Sequence, residues 1–288
     1  MELDPVQLTT QQKQALLQGV IAPRPIALAS TIDKDGQVNL SPFSFFNMFG
    51  TNPPILIFSP SRRVRDNTTK HTYENILEVP EVVIHVVTYS LVQQASLSST
   101  EYEKGVNEFV KTGLTAAPAV KVKPPRVVES PAALECKVLQ VIPTGTEGGS
   151  GNLIVCEVIY IHVNDTVLDQ HGKIDPFKLD AVARLGGDWY CRVQGDAIFS
   201  VPKPLEKKGI GVDQLPESIR RSHILTGNDL GMLANVEKIP AALDHAVYQS
   251  NETWYKAKQQ GEVAIHTLAH QYLEQGLINE AWQVLLIK

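Results

Sequence analysis

The first apolar pattern along the chain is helical. Between residues 8 and 20, Ala15, Leu16, Leu17 and Val20 fall on one side at helical spacing, and Thr10 is placed to cap. The texture then changes. IALASTID, residues 26–33, predicts a strand ending at Asp33-Lys34-Asp35-Gly36, and VNLSPFSFF resumes beyond it, a β-hairpin with Gly36 at the positive-φ position. PPILIFSP after Pro53 predicts a third strand, EVVIHVVT a fourth, ALECKVLQVIPT a fifth and NLIVCEVIYIHVND a sixth. Strands joined by hairpin-length turns without regularly interposed helices imply a mainly β fold, an antiparallel sheet or barrel and not a doubly wound parallel sheet. The run GTEGGSGN, residues 145–152, superficially suggests a phosphate loop. It lacks Gly-Lys-Ser/Thr and a following helix, and is expected to be a flexible hairpin tip.

Beyond Pro202 the chain reads differently. Prolines at 202, 204 and 216 lead into a stretch rich in helix formers, and between Trp254 and Ile287 the apolar residues recur at three and four, with Gly276 as a break. This predicts a helical hairpin. The expected division is therefore 1–202 for the sheet and 203–288 for a helical C-terminal extension. Ile210, Leu215, Ile219, Leu225, Leu230 and Leu233 are too apolar to leave in water, so residues 203–240 are expected to wrap against a barrel and to narrow access to any site there.

Composition narrows the classes. With 31 acids against 26 Lys plus Arg, the net charge of −5 offers no general basic surface for nucleic acid. Three cysteines, Cys136, Cys156 and Cys191, are odd in number and lie in strand-like stretches, as buried free thiols do. The N-terminus starts with an acid where a signal peptide carries Lys or Arg, and no apolar run approaches a membrane span, so a cytoplasmic setting without membrane attachment is expected. The eight His and three Cys show no metal-binding spacing.

Any bound anion must then be held locally, and one segment stands out. Arg62, Arg63, Arg65 and Lys70 lie within nine residues against one acid, Asp66, among the hydroxyls of Ser59, Ser61, Thr68, Thr69 and Thr72. Arg forks a phosphate and Lys adds a point charge; if Thr72 opens the helix YENILE, free amides join them. Before it, IALAST ends in the hydroxyls of Ser30 and Thr31, and residues 39–47 mix Asn39, Ser41 and Ser44 with Phe43, Phe45 and Phe46. Small polar groups beside large apolar faces suit a flat heteroaromatic ring with donors and acceptors on its edge, such as a flavin with its phosphate.

PRPIALASTIDKDGQVNLSPFSFFN, the loop 62–75 with KHTYENI, the ALECKV strand and VARLGGDWY near residue 190 together resemble, in this order, the flavin-reductase-like family of FMN-binding split-barrel proteins, of the flavoredoxin and two-component monooxygenase reductase type. The resemblance spans about residues 15–200. It implies a six-stranded antiparallel Greek-key barrel, a homodimer with FMN near the subunit interface, and flavin reduction by NADH or NADPH. Carried over by position, it implies that Ser30 and Thr31 neighbour the ring, that Asn39, Ser41, Phe43 and Ser44 meet its edge, and that Arg62, Lys70 and Thr72 hold the phosphate, with Asn75 supporting the loop. His71 stands where the family usually has Asp, and a neutral His offers one donor and one acceptor in place of a carboxylate. Gly186 and Gly187 allow close backbone approach, and Tyr190 either seals the pocket or sits in the barrel wall.

No acid, base or nucleophile constellation is evident, as expected if the flavin carries the chemistry. The absence of Gly-x-Gly-x-x-Gly means that a nicotinamide would stack on the flavin in a shallow cleft without a domain of its own. The expected function is therefore an FMN-dependent oxidoreductase passing electrons to an acceptor, which could be a partner monooxygenase. A flavin-binding electron carrier or sensor whose helical tail docks a partner is the alternative; a barrel that has lost flavin is a third reading, suggested by His71 alone.

Overall fold

Seven strands form one antiparallel sheet in the computed structural model, which describes residues 1–204, 208–242 and 250–287. They are β1 (Ala27–Ile32), β2 (Val38–Phe43), β3 (Phe46–Thr51), β4 (Pro54–Phe58), β5 (Glu81–Val86), β6 (Ala132–Pro143) and β7 (Asn152–Val163). Their order is β2-β1-β5-β6-β7-β4-β3, so hairpins β1–β2, β3–β4 and β6–β7 are joined by non-sequential pairings of β1 with β5 and β4 with β7. The β1–β2 turn is the expected one. Gly36 has φ 81°, and Asp33 Oδ1 accepts from the amides of Asp35 and Gln37.

One strand was not legible. VNLSPFSFF breaks at Ser44 and Phe45, and Phe46 begins β3, which pairs with β4 at the sheet edge. Its signal is weak because it contains Asn47 and Gly50, has a register shift between Met48 and Gly50, and leaves Met48 and Phe49 exposed. β1, by contrast, is buried at all six positions, which explains why ALASTI lacks a solvent face. Ala27 and Ala29 pack with Phe43, Phe58, Ile84 and Ile154, while Leu28 packs with Leu40, Leu91, Phe109 and Val182.

Helix α1 (Thr10–Val20) is capped one residue before the expected Thr10: Thr9 accepts from Gln12 N, and the Gln12 side chain returns the bond to Thr9 N. Three short helices flank the sheet, α2 (His71–Glu78), α3 (Val92–Leu97) and α4 (Glu108–Thr112). A small antiparallel pair follows, β8 (Val182–Arg184) with β9 (Tyr190–Arg192), and Gly186 lies so near α1 that a Cβ there would meet Gly19 Cα at 3.2 Å.

The chain divides into two units, Met1–Phe199 and Ser200–Lys288. The second contains α5 (Gly227–Ala234), α6 (Glu252–Gln260), α7 (Glu262–Glu274) and α8 (Ile278–Leu285). The expected helical hairpin is thus three helices, because Gly261, at φ 90°, interrupts the pattern ahead of Gly276. Leu215, Ile219, Leu225 and Leu233 are buried in one cluster with Trp254, Leu268, Leu273 and Trp282 of these helices. The helices after residue 250 thus pack on these apolar residues. Residues 205–207, within the segment expected to wrap the barrel, lie outside the described residues.

Candidate flavin site

Three parts of the first unit converge on a cavity of about 720 Å³. One wall is the end of β2 and the bend after it, bringing Ser41, Pro42, Phe43, Ser44 and Phe45. Phe43 is held from behind by Phe58, with ring centroids 5.5 Å apart. A second wall is the loop after β4, with Ser59, Ser61, Arg62, Arg63, Val64, Arg65 and Lys70. The third is α1, which contributes Lys13, Gln14, Leu17 and Gln18. α1 buries no residue fully, and of its apolar side Leu17 alone lines the cavity, while Leu16 and Val20 are exposed outside it.

The loop after β4 is braced at several points. Ser59 Oγ accepts from Asn152 N at 3.0 Å, and Asn152 Nδ2 donates to the Pro60 carbonyl at 2.9 Å. Arg62 N donates to the Ser150 carbonyl and Gly149 N to the Arg62 carbonyl, so the GTEGGSGN hairpin tip is docked on the basic loop and not free. Gly148 makes this approach possible: a Cβ there would sit 3.0 Å from the Arg63 carbonyl and 3.1 Å from that of Val64. Gly148→Val is expected to push the loop off the tip and to cost about 1 to 3 kcal/mol, as overpacking does, measurable by urea denaturation.

Adjacent arginines have different tasks. Arg62 Nε donates to Asn67 Oδ1 at 2.6 Å and Nη2 to the Asn67 carbonyl, with Asn67 in the left-handed region at φ 57°. Arg62 therefore shapes the loop. Arg63 lines both the cavity and a narrow recess beside it, with Nε 3.1 Å from Glu101 Oε1 and Nη1 bonded to Thr68 Oγ1 and the Thr69 carbonyl. Arg65 reaches Glu101 Oε2 at 2.7 Å and Asp66 at 3.2 Å. The Thr68 hydroxyl and amide hold the Asp66 carboxyl down at about 2. The Lys70 side chain makes no hydrogen bond or ion pair among the described residues; burial first, and Arg63 second, lower its pKa.

The expected site residues separate into two groups. Ser41, Phe43, Ser44, Arg62 and Lys70 line the cavity, while Asn39, His71 and Thr72 line the recess together with Ser41, Arg63 and Lys70. The Thr72 hydroxyl, fully buried, accepts from Asn39 Nδ2 at 2.9 Å and so is engaged in joining α2 to β2. Helix α2 starts at His71, one residue before the expected start. Burial lowers the pKa of His71 more than any neighbouring charge changes it, leaving the imidazole neutral near pH 7.

Ser30, Thr31 and Tyr190 line neither space. Thr31 Oγ1 accepts from Asn75 Nδ2 at 3.3 Å, so Asn75 ties α2 to β1. Ser30 Oγ is buried without a partner. Tyr190 packs on the apolar cluster around Leu28, with the Arg184 guanidinium 4.5 Å from its ring centroid. Arg63, Ser99, Glu101 and the α1 face were missed. Arg63 was visible in the basic run; Glu101, 38 residues away from it, gave no local signal.

Cys136 and Cys156 are buried in the sheet, and burial pushes the Cys136 thiol up to about 12. No group of three or more metal-binding side chains occurs among the described residues, and none of their helices is long and apolar enough to cross a membrane.

Comparison with known proteins agrees with this geometry. An uncharacterized protein of Aquifex aeolicus is 37% identical over 186 residues, 65% of this chain and 92% of its own. Among solved structures, nitrilotriacetate monooxygenase component B from Bacillus cereus superposes with a TM-score of 0.65 at 27% identity, over 70% of this chain and 98% of that one. A Shewanella frigidimarina protein described as a flavin reductase with a split barrel domain gives 0.60 at 27% identity, over 70% and 99%. The sheet is therefore a split barrel, with β3 as a strand beyond the six expected. Residues 21–178, more than half of the chain, match the flavin reductase like domain, and the protein belongs to that family.

Proposed function

We propose that the protein is an NAD(P)H-dependent flavin reductase that binds FMN in the cavity between α1, the end of β2 and the basic loop. The observation that carries this reading is the composition of that one cavity: phenylalanines and serine hydroxyls on one wall, cations on another. Its volume lies within the range of small-molecule sites. Phe43 and Phe45 offer apolar surface to a flat ring, the hydroxyls of Ser41 and Ser44 serve its polar edge, and Lys70 with Arg63 receives the phosphate, beside the hydroxyls of Ser59 and Ser61. When bound, FMN supplies the redox chemistry, taking hydride from NADH or NADPH and delivering electrons to an acceptor. The protein's part is to orient the ring, to exclude water from one side and to neutralise the phosphate.

The likeness to a monooxygenase component supports a reductase that serves a partner oxygenase. We further propose a homodimer. Phe45 lines the cavity and continues into Met48 and Phe49, exposed in the single chain, and a second subunit covering this strip would also complete the pocket. Three unpaired cysteines suit a reducing cytoplasm. The visible spectrum of the purified protein with added FMN tests the reading. Under anaerobic conditions, NADH or NADPH is expected to bleach the flavin band faster with protein than without it; with both nucleotides, a rate unchanged by the protein would refute the enzyme assignment.

A further inference from the structure

The cationic end of the cavity contains an anion of its own. Glu101 places one carboxylate oxygen 3.1 Å from Arg63 Nε and the other 2.7 Å from Arg65 Nη2, and it lines both the cavity and the recess. Arg63 Nη1 is bonded to Thr68 and Thr69, and Arg62 is bonded to Asn67. Of the four cationic side chains in the loop, that of Lys70 alone makes no hydrogen bond or ion pair among the described residues.

Glu101 also differs from the carboxylates that hold this fold together. Glu135, fully buried, accepts the amides of Val120 and Lys121 and the His162 ring, and buried Glu108 accepts the amide of Leu40. Glu101 accepts from two arginine side chains, and its own side chain is 42% exposed. Its position serves the cavity and closes no backbone gap.

We propose that Glu101 competes with the flavin phosphate for Arg63 and Arg65, and so keeps FMN exchangeable. The inference rests on the FMN reading above and names the residue that sets how firmly the phosphate is held. A carboxylate and a phosphate cannot occupy the same guanidinium edges, and two anions in one recess repel. Binding of FMN then requires the carboxylate to leave at least one arginine. On release, Glu101 returns and neutralises the pair. The consequence is a flavin that visits the protein and departs, as a carried substrate does.

Glu101→Gln keeps the size and one acceptor oxygen and removes the charge. Wild type and variant are titrated with FMN and riboflavin by flavin fluorescence, with inorganic phosphate as competitor, and FMN release is followed by stopped flow. Removing the competing charge is expected to lower the Kd for FMN about tenfold, to slow its release by a similar factor and to make phosphate compete at about tenfold lower concentration. Riboflavin affinity is expected to stay within about twofold, since it carries no phosphate. Unchanged or weaker FMN binding in the variant overturns the proposal, as does an equal gain for both flavins, which would mean a changed ring pocket. If the wild type itself binds FMN no more tightly than riboflavin, the phosphate reading fails and this inference with it, a result seen before any substitution is made. Glu101→Ser, read by the same criteria, replaces the glutamine variant if that does not fold.

Discussion

The double substitution Lys70→Ala with Arg63→Ala is expected to weaken FMN binding by at least about a hundredfold while leaving riboflavin affinity within about twofold. Each charge-assisted contact to a phosphate contributes roughly 1.5 to 3 kcal/mol, about tenfold to hundredfold in affinity. Lys70 is the stronger single site, because its side chain makes no hydrogen bond or ion pair among the described residues and burial already disfavours its charge. A phosphate beside it relieves that penalty. Arg62→Ala is expected to act differently, since its guanidinium, although the residue lines the cavity, is bonded to Asn67. It should loosen the loop and lower thermal stability along with FMN affinity. Fluorescence titration with both flavins distinguishes these outcomes: a Lys70 variant that loses riboflavin as strongly as FMN would contradict a phosphate contact.

Acid is expected to destabilise the barrel through His85, fully buried in β5. Its Nδ1 lies 2.8 Å from the Leu28 carbonyl and its Nε2 accepts from Val127 N at 2.9 Å, which fixes the tautomer with the proton on Nδ1. Protonating Nε2 would turn an acceptor against an amide donor. Burial is the main cause that lowers the His85 pKa to about 4, with Arg126 and His162 adding to it and the Leu28 bond opposing. The unfolded chain takes up this proton near pH 6.5 and the folded chain only near 4. The stabilisation is therefore complete above pH 6.5 and is lost as pH falls toward 4, amounting to roughly 3 kcal/mol across that window. Urea denaturation at pH 7 and pH 4.5 measures it. In His85→Gln the baseline stability is lower and the slope with pH over this interval is reduced; an unchanged slope would assign the acid sensitivity to other groups.

Local pattern was enough to reveal the sheet, the DKDG hairpin, α1 and the C-terminal helices. Alternation and helical spacing report on neighbours within a few residues, and a turn such as Asp33–Gly36 closes on its own amides. The basic run was also visible, because four cations in an acidic chain need no third dimension to be noticed. Of the residues that the family resemblance pointed to, Ser41, Phe43, Ser44, Arg62 and Lys70 all meet one cavity.

Only the tertiary structure decided what each group does there. Arg62 and Arg63 are neighbours in sequence, yet one is bonded to Asn67 and the other to Glu101. The Thr72 hydroxyl accepts from Asn39 while lining the recess, and Ser30 and Thr31 lie inside the sheet, away from the cavity. The docking of the Gly148 hairpin tip on the basic loop depends on backbone surfaces more than 80 residues apart in the chain. The apolar residues after 208 announced that they must be buried but not against what, and their own unit's helices provide the cover. Hydrophobic periodicity is a local property fixed by the repeat of the backbone. The partner of a polar side chain is fixed by which distant groups folding brings within about 3 Å, where each buried donor or acceptor has to be satisfied.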